Sequence, residues 1–478
     1  MKILLLNPCD DRSLFQEGAP LFGLLSLGSY LKSRGHIVQG IDLNYPYANM
    51  HERYLRSPKN LVVEIRRFNP DICGISTYTH TRFNAYFWAK LVKDLNKNIF
   101  VIFGGVHASA EPISILANVP EVDAVVIGEG ELTTEELCLA IKQKSSMGKV
   151  KGIAFRDNGK VNITEPRPLI DDIDSLPPLD RRLFLKEDTI AKVDVLEMMA
   201  GRGCPSRCKF CSSAFFWKGS RRVRSAEKII KELEEGTSLF PNINFIKFRD
   251  ETLLSDKNIA FSIMTTLKKI GLPWECWSRT CDLDEDTIKT MKNSGCWRVR
   301  IGIETGSKRL MHDLRKPVVL NKVPELFSTL RKYKLKYSPS FILGLPGSNI
   351  DDIHETLNLI KRIKTDPSSC TISMSTFLFP GTEYFEDFKR KNPDFTWENT
   401  MEKFKYKPCV LDIYGNYLFP INSLPNQISG WKCHLLYMKA TFKNHPLNTI
   451  KRLLSLARLF CNKSLMKIKR KNKCLRKD

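Results

Sequence analysis

The sequence has no long apolar run. Nowhere in its 478 residues do the ~18–20 uncharged apolar residues of a membrane-spanning helix follow one another. Its apolar start, residues 1–7, is too short for a signal peptide and predicts a first β-strand. It also lacks internal repeats and low-complexity segments. With 42% hydrophobic and 27% charged residues the composition is globular, which excludes wholesale disorder. At about 150 residues per domain, we predict a cytoplasmic protein of two or three domains.

Cysteine content and charge narrow the class of protein further. Fourteen cysteines in a cytoplasmic chain argue against a disulfide framework and for thiolate chemistry. The formal net charge is +23, and more than half of it falls within residues 431–478. The rest of the chain is only mildly basic, so we predict a basic tail and no nucleic-acid partner.

Residues 1–145 alternate short β runs with amphipathic helices, which is the pattern of a doubly wound α/β sheet. Helical stretches such as residues 82–95 separate five predicted parallel strands. Ligands of such sheets bind beyond the carboxyl ends of the strands, where small residues let a large ligand approach the backbone. The residues predicted at these ends are Asn7, Asp42, Ser76, Gly104, Gly105, Gly128 and Glu129.

A second β/α series follows a short connecting region. Residues 146–190 predict a linker that contains a hairpin with an Asn-Gly turn. Residues 191–395 hold six βα-type repeats, which predict a partial barrel with its chemistry at the carboxyl ends of the strands. Residues 396–478 are predicted to form a basic, helical C-terminal extension.

The strongest chemical motif follows the first predicted barrel strand. Cys204, Cys208 and Cys211 lie on one loop, with a spacing that suits three corners of a cubane iron–sulfur cluster. No fourth ligand is near, so one iron would stay open to a substrate or cofactor. A zinc knuckle is one alternative, but zinc favours four protein ligands and no CxxC or histidine partner follows. Three buried free cysteines are the other alternative, and the Gly-Arg-Gly-Cys-Pro start argues against it.

With this CxxxCxxC spacing and Phe210 before the last cysteine, the sequence resembles the radical S-adenosylmethionine (radical SAM) superfamily. In that family the open iron binds SAM, and reduction of the cluster cleaves SAM to methionine and a 5′-deoxyadenosyl radical. The resemblance implies that Asp250 and Glu251 hold the methionine amine and that Glu304 suits the ribose hydroxyls. It also implies that Gly344 and Phe210 flank the adenine.

Residues 1–145 look like the Rossmann-like cobalamin-binding domain that precedes the barrel in one branch of this superfamily, through segments such as KILLLNP, PDICGIST and VIFGGVHA. The resemblance implies that cobalamin is bordered by Asn7, Ser76, Gly104, Gly105, Gly128 and Glu129. No Asp-x-His-x-x-Gly follows the first strand, so the usual histidine ligand to cobalt is missing. His107 could face the corrin ring or lie in a water-exposed loop, and His80 leaves the same choice.

The remaining cysteines form no second motif. Cys9, Cys73 and Cys138 are predicted to be small core residues, and Arg279 is a candidate for a substrate or carboxylate contact. Residues 449–470 predict an amphipathic helix with a basic face. This helix either packs on the protein or makes a peripheral contact with an anionic membrane, which would favour a lipid substrate.

The interpretation that covers most of the chain is a cobalamin-dependent radical SAM enzyme whose cofactors are a [4Fe-4S] cluster, SAM and cobalamin. The favoured activity is that of a methyltransferase acting on an unactivated carbon. Its substrate is expected to be a small molecule, a lipid or a peptide. Its partner is expected to be a reducing electron donor such as flavodoxin or ferredoxin. Two alternatives stay open: a cyclase, rearrangement or oxidative enzyme with the same cofactors, and a non-catalytic corrinoid- or redox-responsive binding protein. A methylthiotransferase is rejected, because Cys9, Cys73 and Cys138 lack the loop contexts of a second cluster.

Overall fold

The structure is a computed structural model that describes residues 1–8, 21–43, 58–185, 187–365, 369–373, 376 and 378–395. Within these residues the chain forms a seven-stranded sheet followed by a six-stranded one. Cys9 and the predicted basic helix at residues 449–470 lie outside them.

The first sheet is built from the strands β1 (Lys2–Asn7), β2 (Ile37–Asp42), β3 (Ile72–Ser76), β4 (Phe100–Gly104), β5 (Ala124–Val126), β6 (Ile153–Asp157) and β7 (Lys160–Ile163). They lie in the order β2-β1-β3-β4-β5-β6-β7. The first five strands are parallel, while β6 and β7 are antiparallel to their neighbours. Strand β2 lies on one side of β1, and the following strands β3, β4 and β5 lie on the other side. This reversal of the strand order at β1 confirms the predicted doubly wound sheet.

Helices cover both faces of this sheet, because successive strand residues point to opposite faces. In β1, Leu4 packs into one buried core and Ile3 into the opposite one. Cys73 and Cys138 are 0% and 1% exposed, which confirms them as core residues. The helices are α1 (Phe22–Ser33), α2 (Pro58–Phe68), α3 (Arg82–Leu95), α4 (Val106–Ala110), α5 (Pro112–Asn118) and α6 (Gly130–Gln143).

The hairpin predicted around an Asn-Gly turn is formed by β6 and β7. Asn158 and Gly159 both have positive φ angles, +50° and +78°, as a type I′ turn requires. Strand β6 pairs with β5, with Val125 opposite Ala154, so the hairpin extends the first sheet at its edge. The domain boundary placed at residue 145 stays a prediction.

The strands after residue 190 are β8 (Val195–Met198), β9 (Gly201–Gly203), β10 (Arg221–Val223), β11 (Phe245–Phe248), β12 (Trp274–Ser278), β13 (Cys296–Glu304), β14 (Lys336–Ile342) and β15 (Thr371–Ser373). Six of them form one parallel sheet in the order β15-β14-β13-β12-β11-β8. This sheet confirms the predicted partial barrel. Strands β9 and β10 form a separate antiparallel ribbon, which the sequence did not predict.

The helices of this second part are α7 (Glu187–Ile190), α8 (Ser212–Phe216), α9 (Ala226–Leu239), α10 (Lys257–Ile270), α11 (Glu285–Asn293), α12 (Lys308–Asp313), α13 (Val323–Lys332), α14 (Ile350–Arg362) and α15 (Glu383–Lys391). Local signals set their ends: the Asp256 side chain accepts a hydrogen bond from the Ile259 N–H, and Gly271 ends α10 in a left-handed conformation. None of the described helices has the length and apolarity to cross a bilayer.

Candidate active site

Residues 204–211, which we call the cysteine loop, connect β9 to α8. The residue before the loop has to be glycine: Gly203 has a φ of +89°, and a Cβ atom there would lie 2.2 Å from the Ser220 carbonyl oxygen. In the middle of the loop, the Lys209 ammonium pairs with Asp313 at 2.6 Å. The loop is therefore held at its start by the β9–β10 ribbon and at its centre by helix α12.

Of the three cysteines of the loop, Cys208 is buried and Cys204 and Cys211 are partly exposed. Burial raises the pKa of Cys208 to about 11, and burial also raises the pKa of Cys211. The Lys316 ammonium opposes this effect on both thiols, and the N–H groups of Ser213 and Ala214 oppose it on Cys211. Thiolates at Cys208 and Cys211 would be stabilised by binding a positive centre, as the irons of a cluster provide.

The arrangement of the thiols bears on which metal centre fits the loop. In the part of the chain that the structure describes, no three His, Cys, Asp or Glu side chains converge on a point where one metal ion could bind. A cubane cluster needs a different arrangement, because each cysteine binds a separate iron at its own corner. Three cysteines spread along one loop suit that requirement.

Glu304 stands at the carboxyl end of β13, where the register with β14 shifts. Its φ of +72° is a left-handed conformation that costs a non-glycine residue on the order of 1 kcal/mol and tends to occur at functional sites. Its carboxylate accepts hydrogen bonds from Lys316 Nζ at 2.8 Å and from Ser340 Oγ at 3.3 Å. Burial acts to lower the pKa of Lys316, but Glu304 and Cys208 more than offset it, so the pKa lies above its usual value. The Lys316 ammonium also lies 5.7 Å from the centre of the Phe210 ring.

Asp250 is fully buried at the end of β11. One of its oxygens accepts a hydrogen bond from the Ala200 N–H at 2.9 Å. The other accepts from the Gly201 N–H at 2.8 Å and from the Arg221 guanidinium at 2.8 Å. These contacts support a structural role for Asp250 in holding the ribbon, in place of the direct contact with the methionine amine that the resemblance implies.

Glu251, the next residue, faces different surroundings. Its Oε1 atom accepts hydrogen bonds from Trp217 Nε1 at 2.8 Å and from Ser213 Oγ at 3.4 Å. Burial raises the pKa of Glu251 above its usual value. Its side chain is available to a ligand, because Glu251 borders the cavity described next.

A cavity of about 520 Å³ lies between the first sheet and the mouth of the barrel. Its wall on the side of the first sheet includes all six residues predicted to border cobalamin: Asn7, Ser76, Gly104, Gly105, Gly128 and Glu129. Its wall on the barrel side includes Cys211, Trp217 and Glu251. A single cavity therefore extends from the strand ends of the first sheet to the cysteine loop.

Glycines shape the first-sheet side of this cavity. At Gly104 and Gly128 no atom lies within 4 Å of where a Cβ would stand. Gly105 has a φ of +96°, and a Cβ there would lie 3.0 Å from the Thr77 carbonyl oxygen. Glycines at these positions allow a large flat ligand to approach the backbone, and the volume is within the usual range of about 300–1,000 Å³ for ligand sites.

Phe210, Glu304 and Gly344 are not part of this cavity wall. Phe210 packs against a small core that contains Leu345, the residue after Gly344. The Gly344 carbonyl oxygen accepts hydrogen bonds from the N–H and the hydroxyl of Thr376, at 3.1 and 3.0 Å. Phe210, Glu304 and Gly344 therefore lie near the ends of β13 and β14 and outside the wall of this cavity.

Neither candidate histidine borders the cavity. His107 lies on α4 and is 1% exposed, so the interpretation as a water-exposed loop residue is wrong. Burial lowers the pKa of His107 well below its usual value, which keeps the ring neutral. His80 is exposed and stacks on the Tyr78 ring. Arg279 does contact a carboxylate, but one within the protein, Asp282 at 2.6 Å.

Sequence reasoning missed three residues of this region. Trp217 and Lys316, which hold Glu251 and Glu304, belong to no sequence motif. Arg202 reaches from β9 to the first domain, and the one signal for it is its place two residues before the first cysteine. Contacts between distant segments of the chain are what bring these three side chains to the site.

Together these observations define a class of protein: an iron–sulfur enzyme built on a partial barrel, whose cysteine loop opens onto a cavity shared with a doubly wound ligand-binding domain. The chain belongs to the radical SAM superfamily, in the branch that carries a cobalamin-binding domain. A family model described as "Radical SAM superfamily" matches residues 198–360, and one described as "B12 binding domain" matches residues 16–138. The predicted family, fold class and three cofactors are confirmed.

Similar proteins agree with this assignment. The chain is 33% identical to an uncharacterized methyltransferase from Pyrococcus horikoshii over 81% of this chain and 83% of the relative. It is 26% identical to the cytidylyl-2-hydroxyethylphosphonate methyltransferase of Streptomyces wedmorensis over 72% and 73% of the two chains. The solved structure of the radical SAM methyltransferase TsrM from Kitasatospora setae has the same fold, with a TM-score of 0.68 at 15% identity over 82% of this chain and 76% of that one.

Proposed function

We propose that this protein is a cobalamin-dependent radical SAM methyltransferase that acts on an unactivated carbon of a small molecule. The observation that carries the proposal is the single cavity that joins the strand ends of the first sheet to Cys211 and Glu251. A radical generated beside the cluster and a methyl donor at the sheet have to reach the same substrate atom, so the substrate must lie between them. The named methyltransferases among the relatives support the reaction type.

The proposal gives each cofactor its own residues. Cys204, Cys208 and Cys211 hold the [4Fe-4S] cluster, and Phe210 and Gly344 flank the adenine of SAM. The six predicted residues of the cavity wall border cobalamin. When bound, the cluster with SAM supplies a deoxyadenosyl radical and cobalamin supplies a methyl group.

Glu251 and Glu304 are the two carboxylates that we propose for binding SAM. SAM presents an ammonium group and ribose hydroxyls, and both are donors to a carboxylate. Each carboxylate is already oriented by a neighbour, Glu251 by Trp217 and Glu304 by Lys316. Oriented acceptors of this kind place a ligand without further rearrangement when it binds.

The cavity also favours radical chemistry by its location. It lies between two domains, so a bound substrate would be shielded from bulk water and from side reactions. The reaction needs electrons from outside, for which we propose a reducing donor such as flavodoxin or ferredoxin. A lipid or peptide substrate and a membrane contact through residues 449–470 stay predictions.

Anaerobic reconstitution tests the cofactor set. We expect the protein to take up about four iron atoms per chain and to retain equimolar hydroxocobalamin through gel filtration. Cys208→Ala should lose the cluster and keep the cobalamin. The matched control is Cys296→Ala, a buried cysteine of β13 that should keep both. A chain that holds a cluster but no corrin would contradict the cobalamin part of the proposal.

Product analysis tests the reaction. Under reduction, the loaded protein should convert one SAM to 5′-deoxyadenosine and methionine and a second SAM, the source of the methyl group, to S-adenosylhomocysteine, and the correct substrate should gain the mass of one CH2 group. A product without that gain would favour cyclisation, rearrangement or oxidation with the same cofactors. Failure to cleave SAM in a fully loaded protein would favour a corrinoid- or redox-responsive binding protein.

A further inference from the structure

A buried group of ion pairs joins the first domain to the strand that leads into the cysteine loop. Arg202, on β9, lies two residues before Cys204. Its Nη1 atom donates to Glu129 Oε1 at 2.5 Å, and its Nη2 atom donates to Glu131 Oε1 at 2.6 Å. Both glutamates stand at the start of α6, in the first domain. One guanidinium of the barrel therefore binds two carboxylates of the other domain at once.

These charges are almost completely removed from solvent. The side chains of Arg202, Glu129 and Glu131 are 13%, 3% and 4% exposed. The hydroxyl of Ser26, on α1, donates to Glu131 at 2.6 Å and accepts from Arg202 at 2.8 Å. Buried charges with this many partners hold a single geometry, because another arrangement would leave one of them without compensation.

A second arginine extends the group toward the proposed SAM site. Arg222, on β10, donates to Glu129 Oε2 at 2.8 Å and to the Ile170 carbonyl oxygen at 2.6 Å. Its guanidinium lies 5.3 Å from the centre of the Trp217 ring, and Trp217 donates to Glu251. Contacts therefore run without a break from Glu129, on the first-sheet side of the cavity, to Glu251 on the barrel side.

We propose that Arg202 is a positioning residue: its ion pairs with Glu129 and Glu131 fix the cysteine loop relative to the first domain and so set the distance between the cluster and cobalamin. This inference rests on the proposed function, since it concerns the geometry between two of its cofactors. Arginine suits the role because its planar fork binds two carboxylates, whereas a lysine ammonium acts as a single point charge.

Hydrogen–deuterium exchange of the full-length apoprotein tests the positioning without either cofactor. Arg202→Lys keeps the charge but replaces the planar fork with a shorter-reaching point charge, so we expect exchange in residues 201–212 and 126–134 to accelerate together, on the order of tenfold. Glu131→Gln, a milder change, should accelerate the same two segments less. The matched control is Arg156→Lys, because Arg156 donates only to backbone carbonyl groups of the first domain and should leave residues 201–212 unchanged.

Electron paramagnetic resonance of the loaded protein tests the distance itself. Cob(II)alamin and the one-electron-reduced cluster both carry unpaired spins, and their mutual coupling falls steeply with separation. We expect the native protein and Arg156→Lys to share one coupling. Arg202→Lys should give a weaker or broadened coupling at unchanged iron and cobalt content.

Two results would overturn the positioning role. One is that residues 201–212 exchange hydrogen for deuterium in Arg202→Lys at the same rate as in the native protein, or that Arg156→Lys accelerates their exchange equally. The other is an unchanged spin coupling in fully loaded Arg202→Lys protein. If the native chain takes up no cobalamin, the proposed function fails, while the exchange experiment still decides whether Arg202 fixes the loop to the first domain.

Discussion

Three carboxylates at the barrel mouth differ in role because they differ in partners. Asp250 and Glu251 are consecutive residues just beyond the end of β11. Asp250 binds backbone N–H groups inside the protein, whereas Glu251 borders the cavity. Glu304 has a left-handed backbone conformation, and its carboxylate accepts a hydrogen bond from Lys316. No residue pattern in the sequence distinguishes these three carboxylates. The sequence predicted which residues would be carboxylates near the site, and the structure showed that their contacts differ.

Glu251→Gln tests the effect of burial on one of these carboxylates. Burial raises the pKa of Glu251 in the folded state, so folding favours the protonated form, and that contribution is lost as pH rises through the raised pKa. We expect the Gln variant of the apoprotein to be more stable than the native protein at neutral pH, with the difference shrinking in acid. Urea unfolding from pH 4 to pH 8 measures it. Glu227→Gln, at an exposed site on α9, is the control, and a difference that grows toward acid would contradict the prediction.

Lys316→Met tests the support of Glu304. Removing the ammonium leaves a buried carboxylate without its closest cation, and such losses are costly. We expect the dissociation constant for SAM to rise on the order of tenfold or more in the reconstituted protein, measured by calorimetry. Lys308→Met, at an exposed lysine of α12, should leave the affinity unchanged. Native SAM affinity in a Lys316→Met protein with its full cluster would count against the role of Glu304.

Among the elements, the β9–β10 ribbon has the largest influence on the site. It leads into the cysteine loop, is held by Asp250 and carries both Arg202 and Arg222. The sequence did not predict it, because its two short strands, Gly-Arg-Gly and Arg-Arg-Val, contain no apolar run. The six strands of the barrel sheet were predicted, since their apolar runs alternate with helices.

Gly203→Ala tests how strictly the ribbon constrains the loop. The new Cβ would combine a positive φ with a clash against backbone, so we expect a loss of about 3 kcal/mol or more of unfolding free energy and reduced iron uptake. Gly271→Ala is the matched control: its φ is +75°, but no atom lies within 4 Å of the new Cβ. That variant should lose only about 1 kcal/mol and keep its iron. Equal losses in the two variants would show that the clash is unimportant.

The molecule as a whole brings two ligand-binding ends together. The carboxyl ends of the first sheet and the cysteine loop border one cavity, although residues 104 and 211 are far apart in the sequence. Buried ion pairs of Arg202 and Arg222 with Glu129 and Glu131 join the two parts. These ion pairs therefore help to determine how the two domains are placed relative to each other.

Gly104→Phe tests whether cobalamin binding at one end of the cavity can be lost without affecting the cluster and SAM at the other end. A phenyl ring in the open space beside Gly104 should occupy the sheet side of the cavity, so we expect cobalamin retention to fall on the order of tenfold or more. Iron content and reductive cleavage of SAM should remain, because the cysteine loop is unchanged. Gly148→Phe, at an exposed site away from the cavity, is the control. Full cobalamin retention in Gly104→Phe would place the corrin elsewhere.

The sequence by itself determined the two α/β units, the three-cysteine loop and the glycine-rich strand ends, because periodicity, loop spacing and glycine content are local properties of a chain. It also placed Glu251 and Glu304 at strand ends where ligands bind. Only the tertiary structure decided that Asp250 faces inward, that Trp217 and Lys316 orient the two glutamates, and that Arg202 joins the domains. These contacts join segments distant in sequence, and their geometry depends on how helices and sheets pack, which no local pattern records.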